Sequence, residues 1–413
     1  MNMTKIVLIL TLLFTSIQII AQDGEMQRLQ KIIDDVKTEF APDKRVALFN
    51  VTMEESSSKV KLLGETTELN AKSELLKRIK VAEIEIEDSI GILPDATRKS
   101  KVLGLINNSV ANIRSNPRHS AELATQALLG TPVRVFKKKN GFYLIQTPDG
   151  YISWVDSDGI KTISKDEYNK WFNSKKVIYT NEYGFSYSQT NNGSERVSDL
   201  VIGNILVKTG EEGDYVKVKY PDGRKAYILK SETEDYKTWL ENAYPTKENI
   251  IKTAKLFIGN PYLWGGTSAK GLDCSGFTKT VYFLNGVILD RDASQQVKKG
   301  ILVDTKDGFN KLEKGDLLFF GVKSKDGKRD RITHVGIYID NMEFIHEAGR
   351  VKYNSFDKNA SNFSSYRLRL FKAARRIIPS VGKNGIELIK NNKFYNGELE
   401  WNKTEEILLK LLL

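Results

Sequence analysis

The sequence predicts a multidomain chain: a small α+β module first, then two small β-barrels, then a larger α+β domain. Three observations lead there. The chain has 413 residues, too many for one hydrophobic core. A block of short strand-like runs recurs with Gly and Pro-Asp-Gly at matched spacing, the mark of a repeated β unit. Beyond the repeat, the single cysteine stands where an apolar helix face begins, and two of the three histidines follow on alternating, strand-like runs.

Taken in order, Lys5 followed by the mostly apolar Ile6–Ile20 and by Ala21 reads as a secretory signal over residues 1–21, with a mature start near Gln22. A membrane anchor is the competing reading, but the run is shorter than the ~20 apolar residues that a span needs. No cysteine follows the run to carry a lipid. The expected location is exported, periplasmic or secreted, with no stable membrane insertion after cleavage.

Residues 22–102 form the α+β module. Met26, Leu29, Ile32, Ile33, Val36 and Phe40 keep helical spacing. Strands are expected at Arg45–Met53 and Lys59–Glu65, a helix at Glu68–Ile79, and a half-exposed strand where Ile84 and Ile86 alternate with glutamates. This order resembles a BON-like module, and no chemistry is visible in it.

The repeat covers residues 103–172 and 173–235. Gly130-Thr131-Pro132-Val133 and Pro148-Asp149-Gly150 in the first copy answer Gly203-Asn204-Ile205-Leu206 and Pro221-Asp222-Gly223 in the second. Each Pro-Asp-Gly is a turn between strands, which predicts the two barrels. Val110–Pro117 and Gly150-Tyr151-Ile152-Ser153-Trp154-Val155 resemble bacterial SH3-like domains. The second copy lacks the Gly-Tyr-x-x-Trp ending and has Tyr227-Ile228 in its place. Residues 236–378 read as the α+β domain, and 379–413 as a tail, with a helix candidate at Glu405–Leu413.

The formal net charge of +11 fits either anionic partners, such as wall polymers or lipid head groups, or a solvated basic surface. The lysines are scattered, which argues against nucleic acid. The histidines and cysteine lack zinc spacing and no His-Glu-x-x-His occurs, so neither metal nor cofactor is expected. A monomer is expected.

Cys274 follows Gly271-Leu272-Asp273 and precedes Ser275-Gly276-Phe277. Phe277, Val281 and Leu284 mark one helix face, so Cys274 is placed in the first turn, with Asp273 near the cap. Unpaired amides there lower a thiol pKa. His334 lies on a strand where Val335, Ile337 and Ile339 face one side, and Gly336 leaves space on its own face. His346 follows a turn at Asp340-Asn341. A simple two-residue hairpin would put the two histidines on opposite faces, so an odd-count connection or a bulge is expected to bring them together. Cys274 is then the nucleophile, His334 the proton partner and His346 the residue that orients His334. Tyr262 and the Cys274 amide are oxyanion candidates.

Asn260-Pro261-Tyr262-Leu263-Trp264-Gly265-Gly266, Leu272–Phe277, His334–Tyr338 and Phe344-Ile345-His346 resemble the NlpC-type cysteine peptidases of bacterial cell walls. With SH3-like modules ahead, the chain is similar to the YkfC-like γ-D-glutamyl-L-diamino acid endopeptidases. The resemblance implies a papain-like fold and hydrolysis of the γ-D-Glu–diamino acid bond in muropeptides with a free N-terminal L-Ala, a muropeptide-recycling activity. It also implies recognition of that amine by Asp273, Ser275 and, from the first module, Glu122 and Tyr151. An amidase or crosslink endopeptidase acting on intact wall, and a non-catalytic wall-binding protein, remain alternatives. Sequence leaves open whether the diamino acid is meso-diaminopimelate or L-lysine.

Overall fold

A computed structural model describes residues 24–55, 59–95, 101–324 and 327–399. The signal segment and the Glu405–Leu413 helix candidate lie outside these. The chain divides into two compact units, one within residues 24–95 and the other within 101–399.

The first unit contains helix α1 (24–40), strands β1 (Phe49–Glu55) and β2 (Val60–Thr66), helix α2 (Leu69–Val81) and strand β3 (Ile86–Ile92). β2 pairs antiparallel with β1 and parallel with β3. Leu29, Ile33 and Val36 of α1 and Ala71, Leu75 and Ile79 of α2 share a core with Phe49 and Leu62. β1 starts later than the apolar pattern predicts. Asp43 accepts the Arg45 amide at 3.1 Å and its guanidinium at 2.7 Å, which turns the chain before the strand can begin.

The second unit opens with two seven-stranded antiparallel sheets. The first holds β4 (Leu103–Ile106), β5 (Val110–Arg114), β6 (Leu123–Leu128), β7 (Pro132–Lys139), β8 (Phe142–Gln146), β9 (Ile152–Asp156) and β10 (Ile160–Ile163). Helix α3 (Lys165–Asn173) joins it to β11 (Lys176–Tyr179), β12 (Tyr183–Tyr187), β13 (Arg196–Val201), β14 (Ile205–Glu212), β15 (Tyr215–Lys219), β16 (Lys225–Leu229) and β17 (Thr233–Asp235). The strand orders are β10-β4-β7-β8-β9-β5-β6 and, read the same way, β17-β11-β14-β15-β16-β12-β13. The sheets are open, not the closed barrels expected. The edge at β6 is taken instead by the C-terminal domain, where Thr267 bonds both the backbone and the side chain of Gln126. Gly130 and Gly203 have φ of +81° and +90°, conformations open to glycine. A Cβ on Gly130 would stand 2.2 Å from the Ile205 carbonyl oxygen of the other sheet.

After helices α4 (Tyr236–Asn242) and α5 (Lys247–Leu256) come the short pair β18 (Thr267–Ser268) and β19 (Gly271–Leu272), helix α6 (Cys274–Phe283), β20 (Val287–Ile288), α7 (Ala293–Gln296) and β21 (Ile301–Val303). They are followed by β22 (Leu317–Lys323), β23 (Asp330–Asp340), β24 (Glu343–Glu347), β25 (Val351–Ser355), α8 (Ser365–Leu370), β26 (Phe371–Arg376) and β27 (Glu387–Leu388). A six-stranded sheet runs β21-β26-β22-β23-β24-β25. One face (Leu317, Phe319, Val335, Ile337, Ile345) packs on Phe277 and Val281 of α6. Alternation sends Leu318, Phe320, Tyr338 and Phe344 into a second core. Residues 379–399, expected as a tail, are part of the body: Ile389, Phe394, Tyr395 and Leu399 are buried with Tyr168 and Trp171 of α3, and the Tyr168 hydroxyl donates to the Phe394 carbonyl at 2.9 Å.

Candidate active site

Cys274 is the first residue of α6, and Asp273 caps the helix by accepting the Gly276 amide at 2.7 Å. The amides of Val335, next to His334, and of Ser275 point at the sulfur. Burial nevertheless pushes the thiol up to about 11, helped by the Asp273 charge and opposed by the two amides and Arg291. This corrects the expectation of an acidic thiol. Desolvation of the thiolate outweighs the helix terminus here.

The hairpin between β23 and β24 decides where the histidines point. Asn341 and Met342 have φ of +47° and +66°, and Asp340 pairs with Glu343, so the two turn residues lie one position later than the sequence placed them. Left unbroken, that register would set the histidines on opposite faces. A register shift between Tyr338 and Asp340 restores Tyr338↔Phe344 and Ile337↔Ile345 and puts His334 and His346 on one face. Gly336 supplies the space: a Cβ there would sit 2.9 Å from the His346 Cβ. A second shift, on β23 just before His334, is of the kind that re-aims side chains near active sites.

The two rings meet edge to face, with His334 Nε2 and His346 Nδ1 2.7 Å apart. His346 Nε2 lies 2.8 Å from Asn354 Oδ1, and Asn354 Nδ2 donates to the Asn362 carbonyl at 2.9 Å. The proton positions follow from that carbonyl, which can only accept. Asn354 presents its oxygen to His346, so His346 Nε2 carries a proton and its Nδ1 accepts one from His334 Nε2. The remaining nitrogen of His334, Nδ1, is left with a free lone pair to receive a proton. Burial is the main cause that lowers both rings, His334 well below its ordinary value and His346 to about 3. The resting site therefore holds a neutral thiol and neutral imidazoles.

Arg291 is buried and joins this site to the first sheet. It pairs with Asp273 at 2.5 Å, donates to Ser275 Oγ at 3.0 Å and reaches Thr125 Oγ1 on β6 at 3.0 Å. Tyr151 lies close enough to raise its pKa. Asp273 also accepts the Gly265 amide at 3.0 Å, so its carboxylate is fully engaged. Glu122 is exposed and accepts the Trp264 indole N–H at 2.7 Å. Tyr262 is 39% exposed and pushed up to about 12 by burial, then by Cys274 and Asp273, so it is a neutral donor. His119 is exposed, 3.4 Å from Asp156.

The structure thus brings Cys274, His334 and His346 into one region with Asp273, Ser275 and Tyr262, and sets Tyr151 and Glu122 at its border. Sequence reading missed Arg291, Asn354, Gln126 and Glu347. Asn354 had a signal: it lies on the strand after His346 with a turn between. Glu347 is fully buried, has no hydrogen-bond partner among the described residues, and is raised to about 7, chiefly by burial. Among the described residues no cluster of three His, Cys, Asp or Glu could hold a metal ion.

The NlpC/P60 family profile matches residues 259–369, and that of the bacterial dipeptidyl-peptidase Sh3 domain matches 113–160. A γ-D-glutamyl-L-lysine dipeptidyl-peptidase of Bacillus cereus is 33% identical over 239 residues, 54% of this chain and 67% of that protein. Dipeptidyl-peptidase 6 of Lysinibacillus sphaericus is 28% identical over 261 residues, 60% of this chain and 90% of that protein. The crystal structure of an NlpC/P60 family protein from Bacillus cereus superposes with a TM-score of 0.57 at 25% identity, covering 67% of this chain and all of that one.

Proposed function

The chain belongs to the NlpC/P60 family, and we propose that it is a cysteine peptidase hydrolysing the γ-D-glutamyl–L-diamino acid bond of peptidoglycan stem peptides with a free N-terminal L-Ala. The observation that carries the reading is the oriented chain Asn354–His346–His334. It leaves one imidazole nitrogen free to take the proton of Cys274.

Cys274 Sγ attacks the γ-carbonyl carbon of D-Glu as its proton passes to His334 Nδ1. A neutral resting pair suits this, because the proton moves only when the carbon–sulfur bond forms. The tetrahedral oxyanion is met by the neutral Tyr262 hydroxyl and the Cys274 amide. Collapse breaks the C–N bond, and His334 delivers its proton to the departing amine. Water, deprotonated by His334, then releases L-Ala-γ-D-Glu from the thioester.

The closure of the first sheet over the nucleophile's loop supports a freed stem peptide over intact wall. A Cβ on Gly265 (φ +80°) would stand 2.2 Å from the Leu123 carbonyl oxygen, so the two backbones touch. Asp273 is spent on Arg291, which leaves Glu122, Tyr151 and Ser275 as the groups that would meet the L-Ala ammonium. The working domains are a BON-like module at 22–102, SH3-like domains at 103–172 and 173–235, and a papain-like peptidase at 236–378, with residues 379–399 packed against the same body. We take the chain to be an exported monomer after removal of residues 1–21.

Mass spectrometry of defined muropeptide digests tests the reading. Release of L-Ala-γ-D-Glu is expected, with none from Cys274→Ala. Full turnover by Cys274→Ala, or cleavage only of intact wall, would refute it.

A further inference from the structure

Two cations stand beside the histidine pair without an ion-pair partner among the described residues. Arg367 lies on α8, where its amide donates to the capping Ser364 Oγ at 3.2 Å. Its guanidinium sits 5.6 Å over the Phe320 ring, and the same ring lies 5.6 Å from that of His334. Phe320 therefore seats both. Lys352 is directly opposite His346 in the β24–β25 register, hence on the same face. Neither side chain forms an ion pair or a hydrogen bond with any described residue, although both are half-buried. Glu347, whose carboxylate feels Lys352, projects from the other face of β24. Arg291 and Arg376, by contrast, are paired with carboxylates. The charge of Arg367 and Lys352 is felt at both histidines, and that of Arg367 at Cys274.

Arg367 also lies 5.3 Å over the Tyr366 ring, but ring faces do not neutralise a charge, and half-buried cations without a carboxylate are costly unless an anion completes them. Resting on the peptidase reading, we propose that Arg367, flanked by Lys352, binds a carboxylate of the departing diamino acid. The side of the cleft follows from the chemistry. His334 protonates the leaving amine, so the diamino acid lies at the histidine end, while D-Glu and L-Ala extend toward Tyr262 and Asp273. Two carboxylates can reach that end: the α-carboxyl of a C-terminal diamino acid, and the side-chain carboxyl of meso-diaminopimelate. The L-lysine side chain ends in an ammonium, which both cations repel.

The full chain is assayed on three peptides of the form L-Ala-γ-D-Glu-X. X is L-lysine with a free carboxyl, L-lysine amide, or meso-diaminopimelate with its α-carboxyl amidated. A rise of about 10-fold in kcat/KM over the lysine amide is expected wherever the relevant carboxylate is present, and the favoured peptide identifies which carboxylate is bound. Arg367→Gln should abolish that advantage while leaving the lysine amide rate within about 3-fold, with Lys352→Gln doing so more weakly and Arg367→Lys restoring part of it. Equal wild-type rates on all three peptides, or equal losses on all three in Arg367→Gln, would overturn the proposal and leave the peptidase reading standing. No hydrolysis of any peptide would overturn both.

Discussion

The two seven-stranded sheets are one design placed twice and used differently. Every strand of the second starts 73 residues after its counterpart, from Leu103 and Lys176 to Ile160 and Thr233, and the β7–β8 bulge after Val135 recurs in β14–β15 after Lys208. Side chains at matched positions part company. Asp149 ion-pairs with Lys279 on α6, whereas its counterpart Asp222 accepts from Asn107 of the first sheet at 3.0 Å and from its own Arg224 at 2.6 Å. Tyr151 lies by Arg291, while Arg224 in the same place stacks on Tyr220, 4.4 Å from its ring centre. Gln126 bonds the Thr267 amide and Ser268 hydroxyl at 3.0 Å each, and its counterpart Asp199 ion-pairs with Lys270 two residues on. Backbone geometry is thus set by the repeated glycines and turns. Attachment to the catalytic domain is set by a few side chains free to differ.

The sharpest way to separate the copies is Arg291→Ala, which cuts the buried link from the first sheet to Asp273 and has no equivalent in the second. It strands a buried carboxylate, so a loss of about 3–5 kcal/mol is expected, seen as a large fall in Tm with activity near background. Arg224→Ala removes a half-exposed pair and should stay within about 1 kcal/mol. Comparable losses in the two variants would break the comparison.

The aspartate pair comes next. The Asp149 side chain is 2% exposed and its Lys279 partner 19%, so Asp149→Ala should cost about 2 kcal/mol by leaving a shielded ammonium alone. For Asp222→Ala, whose partners are more exposed, under about 1 kcal/mol is expected. Denaturant melts of the two variants decide it. A smaller step separates Gln126→Ala, expected to lower kcat/KM about 10-fold by freeing the Thr267–Ser268 strand beside the segment that leads into Cys274, from Asp199→Ala, expected to stay within about 2-fold.

What was legible in the sequence was local. The repeat showed because glycine and Pro-Asp-Gly mark turns whatever surrounds them. Cys274 and the histidines showed because they are rare and sit on clean helix and strand patterns, and the strand alternation asked for an odd-count connection or a bulge to unite His334 with His346, of which the structure uses the bulge. What stayed hidden was tertiary. Arg291 acts through Thr125, 166 positions away, and no local pattern reports such a partner. The raised thiol depends on how much protein covers it, which a helix-start motif does not encode. Thr267 takes the edge of the first sheet at Gln126, and the last described segment is core because Phe394 and Tyr395 pack with Tyr168 and Trp171 of α3.

The smallest contrast is in acid. Asp222 is held below the usual aspartate value: its burial opposes this, but bonds from Asn107, Arg224 and the Arg224 amide outweigh it. A carboxyl with a depressed folded-state pKa binds fewer protons in the native state than in the unfolded chain. It therefore contributes stability above its unfolded value, and that stability drains away as pH falls through the folded value. The Tm difference between wild type and Asp222→Asn should be constant from pH 7 to about 5 and then shrink as pH drops below about 4. The variant keeps one acceptor oxygen for Asn107 and loses the charge together with the second oxygen, which accepts the Arg224 amide at 3.0 Å, so it removes the ionic part and that one bond. A difference that persists unchanged to low pH would mean that the Asp222 contact between the two sheets rests on shape and neutral hydrogen bonds and not on its charge.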